Sequence, residues 1–142
     1  MMSKTTVEEL EAVRDYEKRK TKTSDNEVAS ILEHHIEEEI EHAVMNFEWF
    51  RRHFNLWTNL MDEWMFSTKE IHINASYLEI LNRLINNLYV IEEIVKGAPT
   101  SAFDFVRYIV IHLEYLRRTH PMWAKMITEF IDSDTPITEY EV

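Results

Sequence analysis

The sequence predicts an all-α fold, on three observations. The chain of 142 residues contains one glycine and three prolines, whereas β-rich folds need turn residues at short intervals. Apolar side chains follow helical spacing over 77–95, and a stripe at helical spacing that begins and ends apolar runs over 28–49. The chain is 45% apolar, which is enough for a core, and its length allows one domain or two very small ones.

The first half contains three predicted helices, over about 6–20, 26–53 and 57–66. Thr6 followed by Glu9 predicts a capping box that begins the first helix. Either Ser24 or Asp25 is expected to cap the second helix, because both side chains can accept a hydrogen bond from the first turn.

The second half contains three more, over about 76–96, 101–118 and 121–131. Gly97 is expected to end the fourth helix, Ser101 with Asp104 to cap the fifth, and Pro121 to occupy the first turn of the sixth. The fourth helix carries an apolar seam for a partner helix, formed by Tyr77, Leu81, Leu84, Leu88, Ile91 and Val95. We expect the acidic tail 132–142 to be loose.

The two halves are related in sequence. Residues 47–71 align without gaps on residues 113–137, with seven identical positions. Each stretch contains a Glu-aromatic-x-Arg-Arg segment, and its glutamate and two arginines are among the identities. A tryptophan follows each segment at the same distance, which argues against chance similarity between amphipathic helices. We therefore interpret residues 1–71 and 72–142 as related three-helix units.

Composition narrows the function. The net charge of −11 argues against nucleic-acid binding, which needs a basic surface, and suits the attraction of cations. Without cysteine, any metal must be held by carboxylate, imidazole and water. The most apolar run, 105–116, is interrupted by Arg107 and His112 and is too short to span a membrane. No signal peptide is visible at the start, so we expect a cytoplasmic location.

Glu39 and His42 form a Glu-x-x-His pair inside a dense run of carboxylates. Residues three apart on a helix share a face, so the pair aims a carboxylate and an imidazole at one point. Such pairs supply ligands in di-iron helical bundles. A run of this kind is also typical of a solvated helix face, and that alternative stays open.

The pair lies within a stripe at helical spacing that begins and ends apolar, so we expect the stripe to face a core. Its members are Val28, Leu32, His35, Glu39, His42, Asn46 and Trp49. A buried carboxylate is costly unless paired or coordinated, which favours a ligand role for Glu39. His35 is equally compatible with binding a metal, contacting a ligand residue or lying in the core.

Together these residues resemble the encapsulated ferritins, short ferritin-like proteins packaged inside encapsulin shells. The resemblance covers residues 8–71. The family pattern is a glutamate on the first helix, then Glu-x-x-His-Ala and Glu-Trp-x-Arg-Arg on the second. In this chain the pattern is formed by Glu9, Glu39, His42, Ala43, Glu48, Trp49, Arg51 and Arg52.

The resemblance implies a ferritin-like helical bundle and a ferroxidase, which oxidises Fe(II) to Fe(III) for iron storage or detoxification. Carried over by position, Glu9, Glu39 and His42 would be the iron ligands of a di-iron site. Tyr16, on the same face as Glu9, would hydrogen-bond to a ligand; the alternative is a tyrosine at the edge of the core.

Other positions follow or depart from the family. Glu8 and Glu11 match carboxylates where iron enters the family's site, and plain solvent-facing residues are the alternative. Asp15 stands where the family often has an aromatic residue. The usual apolar packaging tail is absent from residues 135–142, so an encapsulin shell and its compartment are implied by the family alone.

Ligand counting predicts a homodimer with the site at its interface. A di-iron bundle site takes about four carboxylates and two histidines, and one chain supplies Glu9, Glu39 and His42. The repeat places Phe105 and Tyr108 where a second Glu-x-x-His pair would stand. Simple family members build rings from such dimers, whereas here the added half is expected to cover the joining surface and leave a discrete dimer.

Two other functions remain open. A metal carrier or sensor would use the same ligands without turnover. A non-catalytic helical interaction protein would use its aromatic side chains as core or partner contacts, namely Phe47, Trp49, Phe50, Trp57, Trp64 and Trp123.

Overall fold

The computed structural model describes residues 2–97 and 100–137, and within them every regular element is an α-helix. The helices are α1 (Met2–Lys22), α2 (Asn26–His53), α3 (Asn55–Trp64), α4 (Tyr77–Val95), α5 (Phe103–Thr119) and α6 (Pro121–Phe130). The predicted all-α class is therefore confirmed. Residues 98 and 99 of the connection after α4, and residues 138–142 of the predicted tail, lie outside the described residues. No helix that the structure describes is long and apolar enough to cross a bilayer.

Local signals set several helix ends as predicted. The Asp25 carboxylate accepts hydrogen bonds from two backbone amides in the first turn of α2, and Ser76 accepts one at the start of α4. Gly97 follows α4 with a φ of 104°, a conformation that glycine adopts without a Cβ clash.

Two predicted caps are wrong. Helix α1 begins at Met2, so Thr6 lies inside the helix and is buried instead of capping it. Helix α5 begins after Ala102, which makes no side-chain cap bond, and Ser101 accepts only a 3.3 Å hydrogen bond from the Phe103 amide. Packing of α1 on α2 and α4 supports the extra N-terminal turn, because tertiary contacts outweigh local capping preferences.

All six helices contribute to one hydrophobic core. Helix α1 packs on α2 and α4, and α4 also packs on α5. Most of the predicted seam of α4 is buried in this core, with Leu81, Leu84 and Leu88 fully inaccessible to solvent, whereas Val95 at its end is 61% exposed. The two halves therefore share a single core. Their division into a metal-binding unit and a structural repeat stays a prediction.

The halves are arranged symmetrically. Helix α3 packs on α5, and α6 packs on α2. Helices α2 and α5 end at His53 and Thr119, and α3 and α6 span residues 55–64 and 121–130, in each case 66 positions apart. This is the spacing of the sequence repeat.

A buried carboxylate stands at the same place in each half. Glu48 on α2 and Glu114 on α5 are both fully buried. Each accepts hydrogen bonds from the two arginines that follow it on the same helix, Arg51 and Arg52 for Glu48, and Arg117 and Arg118 for Glu114. The pairing offsets the cost of removing each carboxylate from water.

The first part of the predicted loose tail is anchored. Arg52 donates hydrogen bonds of 2.8 Å to the backbone oxygens of Ser133 and Thr135, and the Asp132 amide donates to Glu48. The expectation of a loose tail is therefore wrong for residues 132–137, because Arg52 and the buried Glu48 carboxylate hold their backbone.

Candidate metal centre

Helices α1 and α2 run antiparallel and bring Glu9 beside a polar face of α2. That face carries Glu39, His42 and Asn46, which are spaced by three and four residues. The Asn46 Nδ2 atom donates to Glu9 Oε2 at a distance of 3.4 Å, which joins the two helices at this point. Glu9, Glu39 and His42 are each half-buried.

The electrostatics of this face are unfavourable for two negative charges. Burial, followed by the nearby charges of Glu39 and Glu8, raises the pKa of Glu9 to about 8. Burial also raises the pKa of Glu39, although the neighbouring His42 opposes that shift.

Among the described residues that shift these two pKa values, only His42 and His35 oppose the repulsion, and both act on Glu39. The groups that set the two pKa values include no lysine or arginine. Elsewhere, the buried carboxylates of Glu48 and Glu114 form ion pairs with arginines. The pair Glu9 and Glu39 therefore needs a proton or an external cation when both side chains are held together.

Asn46 is a site residue to which the sequence assigned no role. It is fully buried, and its Oδ1 atom has no hydrogen-bond partner among the described residues. In the sequence, the signal for such a role was a polar side chain within the otherwise apolar run 43–47 of α2. Through its bond to Glu9, Asn46 fixes the orientation of a predicted ligand.

The sequence predicted that the stripe on α2 faces the core. In the structure, only part of its length does so. Val28 is 43% exposed and His35 is also exposed, whereas Leu32 and Asn46 are buried. Helices α1, α3 and α6 pack on α2 but leave this edge open, so the candidate ligands lie beside an uncovered surface.

Tyr16 and His35 contact each other rather than the ligands. Their rings stack with centroids 5.4 Å apart, and the Arg19 guanidinium lies 5.7 Å from the centroid of the Tyr16 ring. In the part of the chain that the structure describes, the Tyr16 hydroxyl makes no hydrogen bond to Glu9 or Glu39. A hydrogen bond from Tyr16 to a metal ligand stays a prediction, and in this structure Tyr16 is a partly buried residue packed against the core.

Glu8 and Glu11 differ in their surroundings. Glu8 is exposed, and its charge acts on Glu9. Glu11 is half-buried, 3.9 Å from the nearest Arg14 nitrogen, and accepts a 3.4 Å hydrogen bond from the Tyr89 hydroxyl on α4. Their role where iron enters the site stays a prediction, and Glu11 also links α1 to α4.

The three predicted ligands, Glu9, Glu39 and His42, would be half of a di-iron ligand set. Among residues 2–97 and 100–137, no group of three histidine, aspartate or glutamate side chains converges closely enough to hold a metal ion. The repeat offers no second set, because the positions equivalent to Glu9, Glu39 and His42 are Ala75, Phe105 and Tyr108.

Comparison with known proteins identifies the segment that carries these residues. Residues 1–68 match the family model described as EncFtn-like. The amino-terminal part of the chain is therefore similar to the EncFtn-like family. The resemblance drawn from Glu9, Glu39 and His42 is thereby confirmed, and the helical architecture agrees with a ferritin-like bundle.

The relatives of this EncFtn-like segment are ferritin-like proteins. A "Ferritin-like protein" from Thermotoga maritima is 44% identical over 64 residues, which cover 45% of this chain and 56% of the relative. An "Encapsulated ferritin-like protein" from Rhodospirillum rubrum is 41% identical over 61 residues, covering 43% and 44%. The chain thus spans about half the length of the curated relatives it matches. No solved structure matched the chain.

Proposed function

We propose that this chain binds Fe(II) through Glu9, Glu39 and His42 and oxidises it to Fe(III), for iron storage or detoxification. The supporting observation is that two carboxyls from different helices converge where the charge of one helps to raise the pKa of the other to about 8. A divalent cation would relieve this repulsion, because it attracts both carboxylates. The EncFtn-like family supports iron as that cation.

The ligand chemistry favours oxidation. Anionic carboxylates stabilise Fe(III) more than Fe(II), because the attraction grows with the charge of the ion. His42 supplies a neutral nitrogen donor, and Glu9 must release its proton before it binds. Each Fe(II) loses one electron, and the oxidant that accepts these electrons is dioxygen or peroxide.

A second copy of the chain completes the site in this proposal. A two-fold axis through the site doubles three ligands to the six that a di-iron bundle site uses. The open edge of α2 carries Val28 and Ile31, which are 43% and 59% exposed. Apolar side chains on the same edge as the ligands support an interface there.

An encapsulin shell is the proposed partner beyond the dimer. The name of the relative from Rhodospirillum rubrum describes it as encapsulated. We propose that this chain is also encapsulated and that it lies in the cytoplasm inside an encapsulin compartment.

The interaction-protein alternative loses most of its support in the structure. Five of its six aromatic residues are buried, namely Phe47, Phe50, Trp57, Trp64 and Trp123, and Trp49 is half-buried. They are core residues, as aromatic side chains at helical spacing usually are. The carrier or sensor alternative differs from a ferroxidase only in turnover.

The deciding experiment is metal analysis of the purified chain, followed by Fe(II) addition under air while the absorbance of Fe(III) is recorded. Glu39→Ala and His42→Ala should abolish oxidation and leave the helical circular dichroism intact, whereas Glu41→Ala should oxidise iron normally. Oxidation at the unsubstituted rate by either of the first two variants would refute the site. Binding without oxidation would indicate a carrier, and no metal at all would indicate an interaction protein.

A further inference from the structure

A second polar cavity lies in the other half of the molecule, at the counterpart of the candidate metal centre. It has a volume of about 440 Å³ and is lined by His72, Ile73, Arg83, Asp104, Arg107, Tyr108, Ile111 and His112. Its lining positions on α5 correspond, 66 residues earlier, to Glu38, Glu41, His42, Met45 and Asn46 on α2. The same helix face that carries carboxylates and imidazole in one half carries arginine in the other.

His112 fixes the position of Arg83 in this cavity. The His112 Nδ1 atom lies 2.8 Å from the backbone oxygen of Tyr108, which can only accept, so Nδ1 carries the proton. The Nε2 atom is then an acceptor, and it receives a 3.2 Å hydrogen bond from Arg83 Nη1. His112 is buried, and burial together with the charge of Arg83 lowers its pKa, which keeps the ring neutral. Among the described residues, the other N–H groups of the Arg83 guanidinium have no hydrogen-bond partner, so they can donate to a ligand.

Arg107 stands at the same cavity and is held by a ring. Its guanidinium carbon lies 5.3 Å from the centroid of the Trp64 ring, a distance at which the cation is attracted to the ring face. Across the described ranges, neither Arg83 nor Arg107 forms an ion pair, whereas Arg51, Arg52 and the equivalent arginines on α5 all do. Asp104 is the single carboxylate of the lining and pairs with neither arginine.

We propose that this cavity binds a small oxyanion, a phosphate or a carboxylate, between the guanidinium groups of Arg83 and Arg107. Guanidinium groups donate paired hydrogen bonds to such anions, and two of them left without a carboxylate partner in a chain of net charge −11 are unusual. Asp104 opposes the anion, and the exposed His72 at the rim lies 3.6 Å from a Glu70 carboxylate oxygen, so the two arginines carry the proposal. The proposal does not rest on the proposed iron chemistry.

The test is calorimetric titration of the full chain with inorganic phosphate and, separately, with acetate, each at an ionic strength held constant with chloride. We expect saturable binding of at least one anion at one site per chain; the tighter of the two identifies the source of the oxyanion. Arg83→Gln and Arg107→Gln should each weaken it about tenfold or more, since each removes charge-assisted hydrogen bonds. Asp104→Asn should strengthen it.

Two control variants separate binding in the cavity from net charge and from iron. Lys18→Gln takes away an exposed positive charge on α1 and should bind the anion like the unsubstituted chain, which excludes an effect of net charge. Glu39→Ala should also bind it normally, which excludes phosphate held by iron. Circular dichroism confirms folding, and Arg107 is exposed, so its substitution leaves the core intact. Absence of binding to both anions, or equal binding by the two arginine variants and Lys18→Gln, would overturn the proposal.

Discussion

The backbone amide of Asp132 donates a 3.0 Å hydrogen bond to the buried carboxylate of Glu48, which lies 84 positions earlier in the chain. The equivalent bond joins the amide of Phe66 to Glu114 at 2.9 Å. Phe66 and Asp132 both have a positive φ, 60° and 54°, a conformation that side-chain sterics disfavour. Each half therefore holds the turn after the other half's short helix, and these buried groups tie the two units together.

Loss of either carboxylate should destabilise the whole fold. Glu48→Gln and Glu114→Gln are each expected to lower the free energy of unfolding by about 3 kcal/mol, because each leaves two arginines beside a buried group without its charge. Urea unfolding followed by circular dichroism measures this. Glu93→Gln, on an exposed part of α4, is the control and should change stability little. Similar stabilities for all three variants would contradict the role of the buried groups.

Acid should unfold the chain through Glu114. Burial alone would raise its pKa, but hydrogen bonds from Arg117, the Phe66 amide and Arg118 bring the pKa below the usual value of 4.5. A carboxyl with a lowered folded-state pKa contributes stability above its unfolded pKa and loses it as pH falls through the folded value. Unfolding should be measured from about pH 6 to about pH 3, a range that spans the usual pKa of a carboxyl group. The loss of stability over this range should be smaller in Glu114→Gln than in the unsubstituted chain. An unchanged pH profile in this variant would exclude Glu114 as a cause.

The metal-free chain should lose stability at higher pH through Glu9. The folded-state pKa of about 8 lies above the unfolded value near 4.5, so the contribution is present below the unfolded pKa and is lost as pH rises through the folded one. Thermal melts in a chelator should show a falling midpoint from about pH 5 to pH 9, and Glu9→Gln should flatten this dependence. Exposed Glu8→Gln is the neighbouring control, with a smaller effect. A profile of Glu9→Gln as steep as that of the unsubstituted chain would contradict the prediction.

The bond between Trp123 and Tyr77 should stabilise the link between α6 and the start of α4. The indole Nε1 of buried Trp123 donates to the Tyr77 hydroxyl at 2.8 Å, and Tyr77 stacks on His120 with centroids 4.3 Å apart. Tyr77→Phe leaves a buried donor unpaired and should cost about 1–3 kcal/mol of stability in urea unfolding. Tyr89→Phe removes a more exposed hydroxyl with a longer bond to Glu11 and should cost far less. Equal losses in the two variants would count against this assignment.

The proposed dimer should depend on the open edge of α2. Ile31→Asp places a charge on a side chain that is 59% exposed, so the single chain should fold but fail to pair, and iron oxidation should fall with it. Mass measurement and Fe(II) oxidation check both effects. Val95→Asp, at 61% exposure on α4, is the matched control and should leave mass and activity unchanged. A monomer that oxidises iron at full rate would refute the ligand count.

Much of the fold follows from local sequence. The limits of α2 agree with the prediction at both ends, because Asp25 supplies a side-chain cap and the apolar periodicity continues to the last turn. The repeat of 66 residues reappears in α3 and α6, which have equal lengths and begin 66 residues apart. Glu9, Glu39 and His42 came from a spacing pattern shared with a family, which needs no knowledge of the packing.

Other features depended on partners far along the chain. Thr6 reads as a cap locally but is buried inside α1, and Tyr16 stacks on His35. The role of Asn46 depends on Glu9, 37 positions away. Residues 132–137 look like a loose acidic tail until Glu48 and Arg52 are placed beside them.

The sequence by itself determined the helical class, the positions of most helix ends and the ligand types, because capping, periodicity and side-chain chemistry act over a few residues. Only the tertiary structure decided which carboxylates repel each other and which are neutralised by a cation. Glu48 and Glu114 pair with arginines on their own helices, whereas Glu9 and Glu39 approach each other from different helices with no arginine or lysine among the described groups that shift their pKa values. A pKa depends on burial and on all charges nearby, and both are set by how the helices pack.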